Sequence, residues 1–109
     1  MTSARVGLAV VHGRSMLPTL AEGDVLLVRY GVQPQPGQLV VIRLPGRGVS
    51  VKRATRRVVS GWWVERDNPR EGVDSWLVGE IPDDDVLACV WTRVWPPWRR
   101  LGPGPDAVR

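Results

Sequence analysis

Ser15 and Lys52 are the two residues whose types and settings best fit a chemical reaction. Ser15 follows Gly13 at the end of a predicted strand and precedes Pro18, so it lies at a sharp corner. Such a corner can expose a hydroxyl and aim successive backbone N–H groups at one point, as acyl transfer requires. Lys52 is the only lysine among 15 basic residues. Because arginine keeps its proton in proteins whereas a buried lysine can lose it, Lys52 is a candidate base.

The reaction that this pair would perform is nucleophilic attack by Ser15 with neutral Lys52 as general base. An ordinary lysine has a pKa of about 10.4, so only about one in a few thousand is neutral at pH 7. Burial against apolar side chains can lower that pKa by ~3–5 units. The predicted oxyanion and substrate-binding residues are Gly13, Ser15 and Met16. Gly13 would let a substrate approach closely and pair as an added strand.

The elements that position these residues are predicted to be short strands. Valine recurs throughout the chain, and 12 glycines and 10 prolines interrupt it every few residues. This composition favours an all-β fold with strongly curved sheets. The predicted strands are Arg5–His12, Val25–Tyr30, Gln38–Leu44, Val49–Val59, Trp62–Glu65, Trp76–Ile81 and Asp85–Trp95.

The strand Val49–Val59 determines where the lysine points. Its period of two puts Ser50, Lys52 and Ala54 on one face and the residues between them on the other. Gly61 predicts a tight turn after this strand. The strand should therefore form a hairpin with Trp62–Glu65.

The chain length of 109 residues predicts a single domain, residues 1–101, followed by a frayed tail, residues 102–109. No apolar run approaches the roughly 18 residues of a membrane span. The N-terminus also lacks the pattern of a signal peptide. The expected location is therefore the cytoplasm.

The remaining reactive residue types do not form a second catalytic or metal-binding pattern. Cys89 lies among apolar residues and is predicted to be a buried, inert thiol. His12 is the only histidine, and its path diverges from Ser15, so we expect a structural or substrate-facing role and no metal or cofactor. Asp67 is expected to stabilise a loop, and Asp83–Asp85 to form a solvated turn.

The net charge of +4 permits nucleic-acid binding, but no reader motif accompanies it. The basic residues are spread along the chain, so a solvated surface is expected and a nucleic-acid partner is not. The segment Trp95–Arg100 is aromatic and basic. It could make a weak peripheral membrane contact or dock a partner.

Three segments, taken in order, resemble the signal peptidase I family and its LexA-like relatives. The run from Gly13 to Leu20, with the turn Glu22-Gly23-Asp24, resembles the nucleophile region. The segment Val51-Lys52-Arg53, with the lysine 37 residues after Ser15, resembles the strand that carries the base. The segment 66–79 resembles the box in which Gly-Asp-Asn precedes Asp-Ser and a glycine. The resemblance covers roughly residues 7 to 82 and implies the fold of that catalytic core.

The third segment departs from the family pattern at three positions. Arg66 replaces the family's glycine, and Trp76 replaces an arginine. The hydroxyl that orients the lysine in signal peptidases would fall near Gly72, which has no side chain. The resemblance therefore implies supporting roles for Asp74 and Ser75, while Ser50 or a backbone carbonyl could orient the lysine.

The resemblance implies a soluble serine endopeptidase that processes a specific precursor protein. A free-standing member this small is most similar to the maturation proteases of nickel-type superoxide dismutase, which remove a short leader. Two alternatives remain open: a signal peptidase-like enzyme acting at the membrane, and an inactive protein-binding module on the same fold. Self-cleavage is not expected, because only 14 residues precede Ser15.

Overall fold

The computed structural model describes residues 5–98, which form one seven-stranded antiparallel sheet. The strands are β1 (Val6–Val10), β2 (Val25–Tyr30), β3 (Leu39–Leu44), β4 (Gly48–Val58), β5 (Gly61–Glu65), β6 (Ile81–Pro82) and β7 (Val86–Trp95). A short helix, α1 (Ser75–Val78), precedes β6, and a 3₁₀ turn (Asp83–Asp85) precedes β7. The order across the sheet is β1-β2-β7-β3-β4-β5-β6. The predicted all-β fold class is confirmed.

The core lies on both sides of β3, which is why this strand is apolar at nearly every position. Leu39 and Val41 point into one cluster of buried side chains, which also contains Met16, Leu26 and Val28. The intervening residues of β3 point into a second cluster, which contains Trp62, Val64 and Ile81. A strand with two buried faces reads as a continuous apolar run instead of an alternating one. β3 thus lies between two clusters of buried side chains.

The predicted hairpin of β4 and β5 is confirmed. The two strands pair from Arg53 opposite Glu65 to Val58 opposite Gly61. The role assigned to Gly61 was wrong, because the turn is formed by residues 59 and 60 and Gly61 is already in β5. A Cβ at Gly61 would lie 2.0 Å from the carbonyl oxygen of Ile81. Glycine is therefore required here for the close approach of β6.

The predicted strand Trp76–Ile81 was also wrong, because its first half belongs to helix α1 and only Ile81 lies in a strand, β6. The carboxylate of Asp74 accepts a hydrogen bond from the backbone N–H of Trp76 and caps the helix. Gly79 ends it with a φ of +83°. The three apolar residues of α1 carried no period, so the cap was the only sequence signal of a helix.

The turn between β1 and β2 is tied to the sheet by a buried ion pair. The carboxylate of Asp24 accepts hydrogen bonds from Ala21 N (2.9 Å) and from Arg93 Nε (3.0 Å). Arg93 lies in β7 and also donates to the carbonyl oxygen of Thr19. Because Met16 and Leu20 are buried as well, both ends of this turn are fixed.

The carboxyl-terminal predictions fall partly beyond the described residues. The predicted tail, residues 102–109, lies outside them, as do positions 99 and 100 of the segment Trp95–Arg100. Trp95 and Trp98 are exposed and contact each other edge to face, with ring centroids 5.8 Å apart. The membrane contact of this segment stays a prediction. Within residues 5–98, no helix is long and apolar enough to cross a membrane.

Candidate active site

Two strand edges lie beside Ser15 without a neighbour in the sheet. β1 is the edge strand of the described sheet. β4 pairs with β3 from Gly48 to Arg53, but its pairing with β5 begins only at Arg53. The first half of β4 therefore has one unpaired side. Residues from both edges line the same cavity as Ser15: Ala9, Val10, Val11 and His12 from the end of β1, and Val49, Ser50 and Val51 from β4.

Lys52 reaches Ser15 from β4 and is buried almost completely. Its Nζ lies 2.8 Å from Ser15 Oγ, and the side chain is 2% exposed. The same nitrogen donates to Ser50 Oγ at 2.6 Å and to the carbonyl oxygen of Val51 at 3.3 Å. The predicted alternation along β4 is confirmed, because Ser50 and Lys52 point the same way. Three oxygen atoms thus surround the amine.

Burial lowers the pKa of Lys52 from its ordinary 10.5 to about 8. Desolvation of the ammonium is the largest cause. The carboxylate of Asp74 opposes it and raises the pKa, whereas the guanidinium of Arg66 lowers it. A pKa near 8 leaves a useful fraction of neutral amine close to neutral pH.

Gly72 lies against the candidate nucleophile, where no side chain can fit. A Cβ at this position would lie 2.4 Å from the Cβ of Ser15 and 3.1 Å from its Cα. The backbone of Gly72 also has a φ of +125°, which L-residues rarely adopt. A side-chain hydroxyl that orients the lysine, as in signal peptidases, therefore does not fit at this position. Ser50 supplies a hydroxyl to the lysine from the other side.

Asp74 and Ser75 contact neither Ser15 nor Lys52 through hydrogen bonds. Besides capping α1, Asp74 accepts a hydrogen bond from the backbone N–H of Arg66 at 3.0 Å. The hydroxyl of Ser75 is buried and accepts one from the N–H of Val64 at 2.9 Å. The two residues hold the loop between β5 and α1, and Asp74 influences the lysine through its charge.

The three residues predicted to bind the oxyanion or the substrate differ in burial. Gly13 is exposed, has a φ of +79° and lines the open part of the cleft. Ser15 is partly buried. The side chain of Met16 is buried, and its sulfur accepts a hydrogen bond from the N–H of Asp67 at 3.4 Å. Met16 lines the pocket next to Ser15, and its sulfur ties the Ser15 turn to the loop that follows β5.

The cleft around Ser15 has two parts of different character. One is a mostly apolar pocket of about 60 Å³ between β1 and β4. The other is an open cleft of about 270 Å³, lined by charged side chains that the sequence analysis did not single out: Arg14, Arg47 and Glu71. Exposed His12 lines both parts and makes no hydrogen bond within the described residues. Its substrate-facing role stays a prediction.

The other predicted residues lie away from the chemistry. Asp67 accepts hydrogen bonds from Arg53 at 3.0 and 2.7 Å and one from the hydroxyl of Thr19, so it stabilises its loop as expected. Cys89 is buried, and desolvation raises the pKa of its thiol. Within residues 5–98, no three His, Cys, Asp or Glu side chains are grouped so that they could hold a metal ion.

Comparison with protein families identifies the class to which this fold and site belong. The model of the Peptidase S24-like family matches residues 1–75, about two thirds of the chain. The chain therefore belongs to the Peptidase S24-like family, and its function is of the serine peptidase type. The matched region contains the Ser15 turn, all of β4 and the loop up to Ser75. A search of curated proteins found no match.

Proposed function

We propose that this protein is a serine endopeptidase in which Ser15 is the nucleophile and Lys52 is the general base. The observation that carries the proposal is the 2.8 Å contact between Lys52 Nζ and Ser15 Oγ, made by an amine that is 2% exposed. A contact of this length allows direct proton transfer. The lowered pKa of Lys52, about 8, supplies the neutral amine that a base requires.

The proposed reaction proceeds through an acyl-enzyme. As the bond between Ser15 Oγ and the substrate carbonyl carbon forms, the hydroxyl proton moves to Lys52 Nζ. The carbonyl oxygen becomes an oxyanion, which accepts hydrogen bonds from backbone N–H groups at Ser15. Lys52 then gives its proton to the leaving amine as the C–N bond breaks. A water molecule, deprotonated by Lys52, releases the acyl group in the same way.

Ser50 holds the amine in position during both steps. Its hydroxyl lies 2.6 Å from Lys52 Nζ, on the same face of β4 as the lysine. A second hydrogen-bond partner restricts the rotation of a long, flexible side chain and points its lone pair at Ser15. Ser50 is thus proposed as a positioning residue and not as a proton donor to the substrate.

The unpaired edges of β1 and β4 suit an extended polypeptide as substrate. A peptide strand between them could form main-chain hydrogen bonds, as in other cases of strand addition. A side chain of that peptide would enter the pocket of about 60 Å³ next to Ser15. A pocket of this size accepts a small apolar side chain better than an aromatic one.

Active-site labelling tests the endopeptidase proposal without knowledge of the substrate. The protein is treated with 4-nitrophenyl acetate at about pH 8.5, and its intact mass and peptide map are recorded. We expect one acetyl group on Ser15, and none on that peptide in Ser15→Ala. No adduct on the wild-type protein would favour the alternative, an inactive protein-binding module.

We propose that the substrate is the leader of a nickel-type superoxide dismutase precursor. This proposal rests on the resemblance of this small chain to the corresponding maturation proteases. Incubation of the purified precursor with the wild-type protein should yield one shortened product, identified by mass, and Ser15→Ala should yield none. An intact precursor, combined with normal labelling of Ser15, would reject this substrate and retain the peptidase. Proteins processed at the membrane would then be the next candidates.

A further inference from the structure

Asn68 uses all of its hydrogen-bonding groups, and two of them bind the turn that carries Ser15. Its side-chain Nδ2 donates to the carbonyl oxygen of Arg14 at 2.8 Å, and its backbone N–H donates to the carbonyl oxygen of Ser15 at 2.9 Å. Its Oδ1 accepts from the N–H of Arg70 at 2.9 Å. Its own carbonyl oxygen accepts from Arg66 Nε at 2.7 Å.

These contacts fix two consecutive peptide planes at the nucleophile. The carbonyl of Arg14 and the N–H of Ser15 belong to one planar trans peptide, so they point in opposite directions. The carbonyl of Ser15 and the N–H of Met16 are related in the same way. Asn68 holds both carbonyls and so helps to set the directions of both N–H groups. The carbonyl of Arg14 is also held within the turn by the N–H of Leu17, at 3.2 Å.

The two residues that carry these N–H groups both line the pocket beside the nucleophile. Within residues 5–98, neither Ser15 N–H nor Met16 N–H donates a hydrogen bond. The carbonyls behind them are held by a loop from the opposite side of the site. Preorganised donors of this kind stabilise an oxyanion because they need not reorient as charge develops.

The amide of Asn68 is chemically suited to this position. Nδ2 donates to a carbonyl while Oδ1 accepts from an N–H, and a carboxamide presents this donor and this acceptor on separate atoms. Arg66 supports the arrangement from behind, because it also lies 3.6 Å from the buried carboxylate of Asp74. The arginine that departs from the family pattern thus holds the loop to the helix cap.

We propose that Asn68 is a positioning residue that directs the N–H groups of Ser15 and Met16 at the oxyanion. This inference rests on the proposed function of Ser15 and Lys52. Asn68 itself lies behind the turn and acts only through the two peptide planes.

The test compares the acylation of Ser15 by 4-nitrophenyl acetate and by its thiono analogue, in which sulfur replaces the carbonyl oxygen. Ser15 Oγ attacks the carbon, its proton goes to Lys52, and 4-nitrophenolate leaves and is measured by absorbance. Sulfur is larger and accepts hydrogen bonds less well than oxygen, so well-placed donors favour the oxygen ester. The ratio of the two rates does not depend on how much of the protein is folded.

The variants are Asn68→Asp and Asn68→Ser, with Arg70→Ala as the matched control on the same loop. Both Asn68 variants keep an oxygen that can accept from Arg70 N–H. An aspartate carboxylate has no hydrogen to donate to Arg14, and the serine hydroxyl is shorter than the amide and does not place a donor where Nδ2 lies. We expect each variant to lower the rate with the oxygen ester about tenfold to a hundredfold. The ratio of the oxygen-ester rate to the thiono-ester rate should fall about tenfold or more. The pH midpoint of acylation should not change in Asn68→Ser, which leaves the charges around Lys52 unaltered, and Arg70→Ala should behave as wild type. Either Asn68 variant is sufficient if the other does not fold.

Two failures are distinguishable in this experiment. If wild-type protein is not acylated at Ser15, the proposed function fails and the role of Asn68 fails with it. If wild type is acylated and both Asn68 variants keep the wild-type rate ratio, Ser15 retains its proposed role and the positioning role of Asn68 is rejected.

Discussion

At the scale of single residues, the site combines a buried amine with a candidate nucleophile that is closely packed against a glycine. Lys52 is surrounded by hydroxyl and carbonyl oxygens, and Gly72 packs against Ser15. Ser15 and Lys52 were predictable as chemical partners from their residue types, since Lys52 is the only lysine among many arginines, and from a family resemblance. The choice between Ser50 and a carbonyl as the lysine's partner depends on side-chain distances, which the sequence does not contain.

Gly72→Ser should lower activity about a hundredfold, even though it adds a hydroxyl at the position where signal peptidases have one. The new Cβ would lie 2.4 Å from the Cβ of Ser15, so the nucleophile or the loop must move. A displacement of about 1 Å can reduce a rate about a hundredfold. The measurement is the rate of Ser15 acylation by 4-nitrophenyl acetate.

The matched control for this substitution is Gly79→Ala. Gly79 also has a positive φ, +83°, but a Cβ there meets no atom within 4 Å. Because glycine alone adopts this conformation readily, the alanine should cost about 1 to 3 kcal/mol of stability and leave acylation unchanged. Acylation at the wild-type rate in Gly72→Ser would contradict the close packing described here.

Lys52→Met should make the protein more stable near neutral pH while abolishing acylation. The folded-state pKa of about 8 lies below the ordinary 10.5, so between these values the unfolded chain binds more protons. Wild-type stability should therefore rise as pH rises from about 8 to about 10, by about 2 to 3 kcal/mol. Methionine has no such penalty. After the loss of the lysine's hydrogen bonds, we expect a net gain of about 1 to 3 kcal/mol at pH 7.

Urea denaturation of Lys52→Met and wild type at pH 7 and pH 9.5 measures this effect. The advantage of the methionine variant should shrink at the higher pH. If the methionine variant is less stable than wild type at both pH values, burial of Lys52 does not destabilise the folded state.

At the scale of elements, the strands were predictable and the loop that supports the site was not. Valine-rich runs between glycine and proline predicted every strand except β6, with ends within a few residues. The loop between β5 and α1 depends on contacts between residues far apart in the sequence, such as Asn68 with Arg14, 54 positions away. No local pattern encodes such a contact.

Asp74→Asn should shift the pH dependence of acylation to lower pH. The carboxylate of Asp74 raises the pKa of Lys52, so removing its charge lowers that pKa below about 8. The amide has one acceptor for the two N–H groups that Asp74 now binds, so the melting temperature should also fall. The midpoint of acylation against pH is the measurement, and a shift to higher pH would contradict the assignment.

At the scale of the whole molecule, the site exists only when the sheet is complete. β7 pairs with β2 and β3, and its Arg93 holds the Ser15 turn through Asp24. Composition predicted the fold class, but it did not predict this order of strands. The buried pair joins positions 69 residues apart, which no spacing rule indicates.

Arg93→Met should destabilise the protein by about 3 to 5 kcal/mol, because it leaves the buried carboxylate of Asp24 without its charged partner. The free energy of unfolding in urea measures the loss. The control is Arg43→Met, which removes an exposed ion pair with Asp85 and should cost less than about 1 kcal/mol. Equal effects of the two substitutions would show that burial of the first pair does not matter.

The pH dependence of Ser15 acylation tests the central claim most directly. The rate with 4-nitrophenyl acetate is measured from pH 6 to pH 10 for wild type and for Lys52→Met. If neutral Lys52 is the base, the wild-type rate rises with a midpoint near the lysine pKa of about 8 and then levels off, and the methionine variant shows no such step. A wild-type rate that keeps rising up to pH 10, or one that survives in Lys52→Met, would contradict the Ser15–Lys52 mechanism.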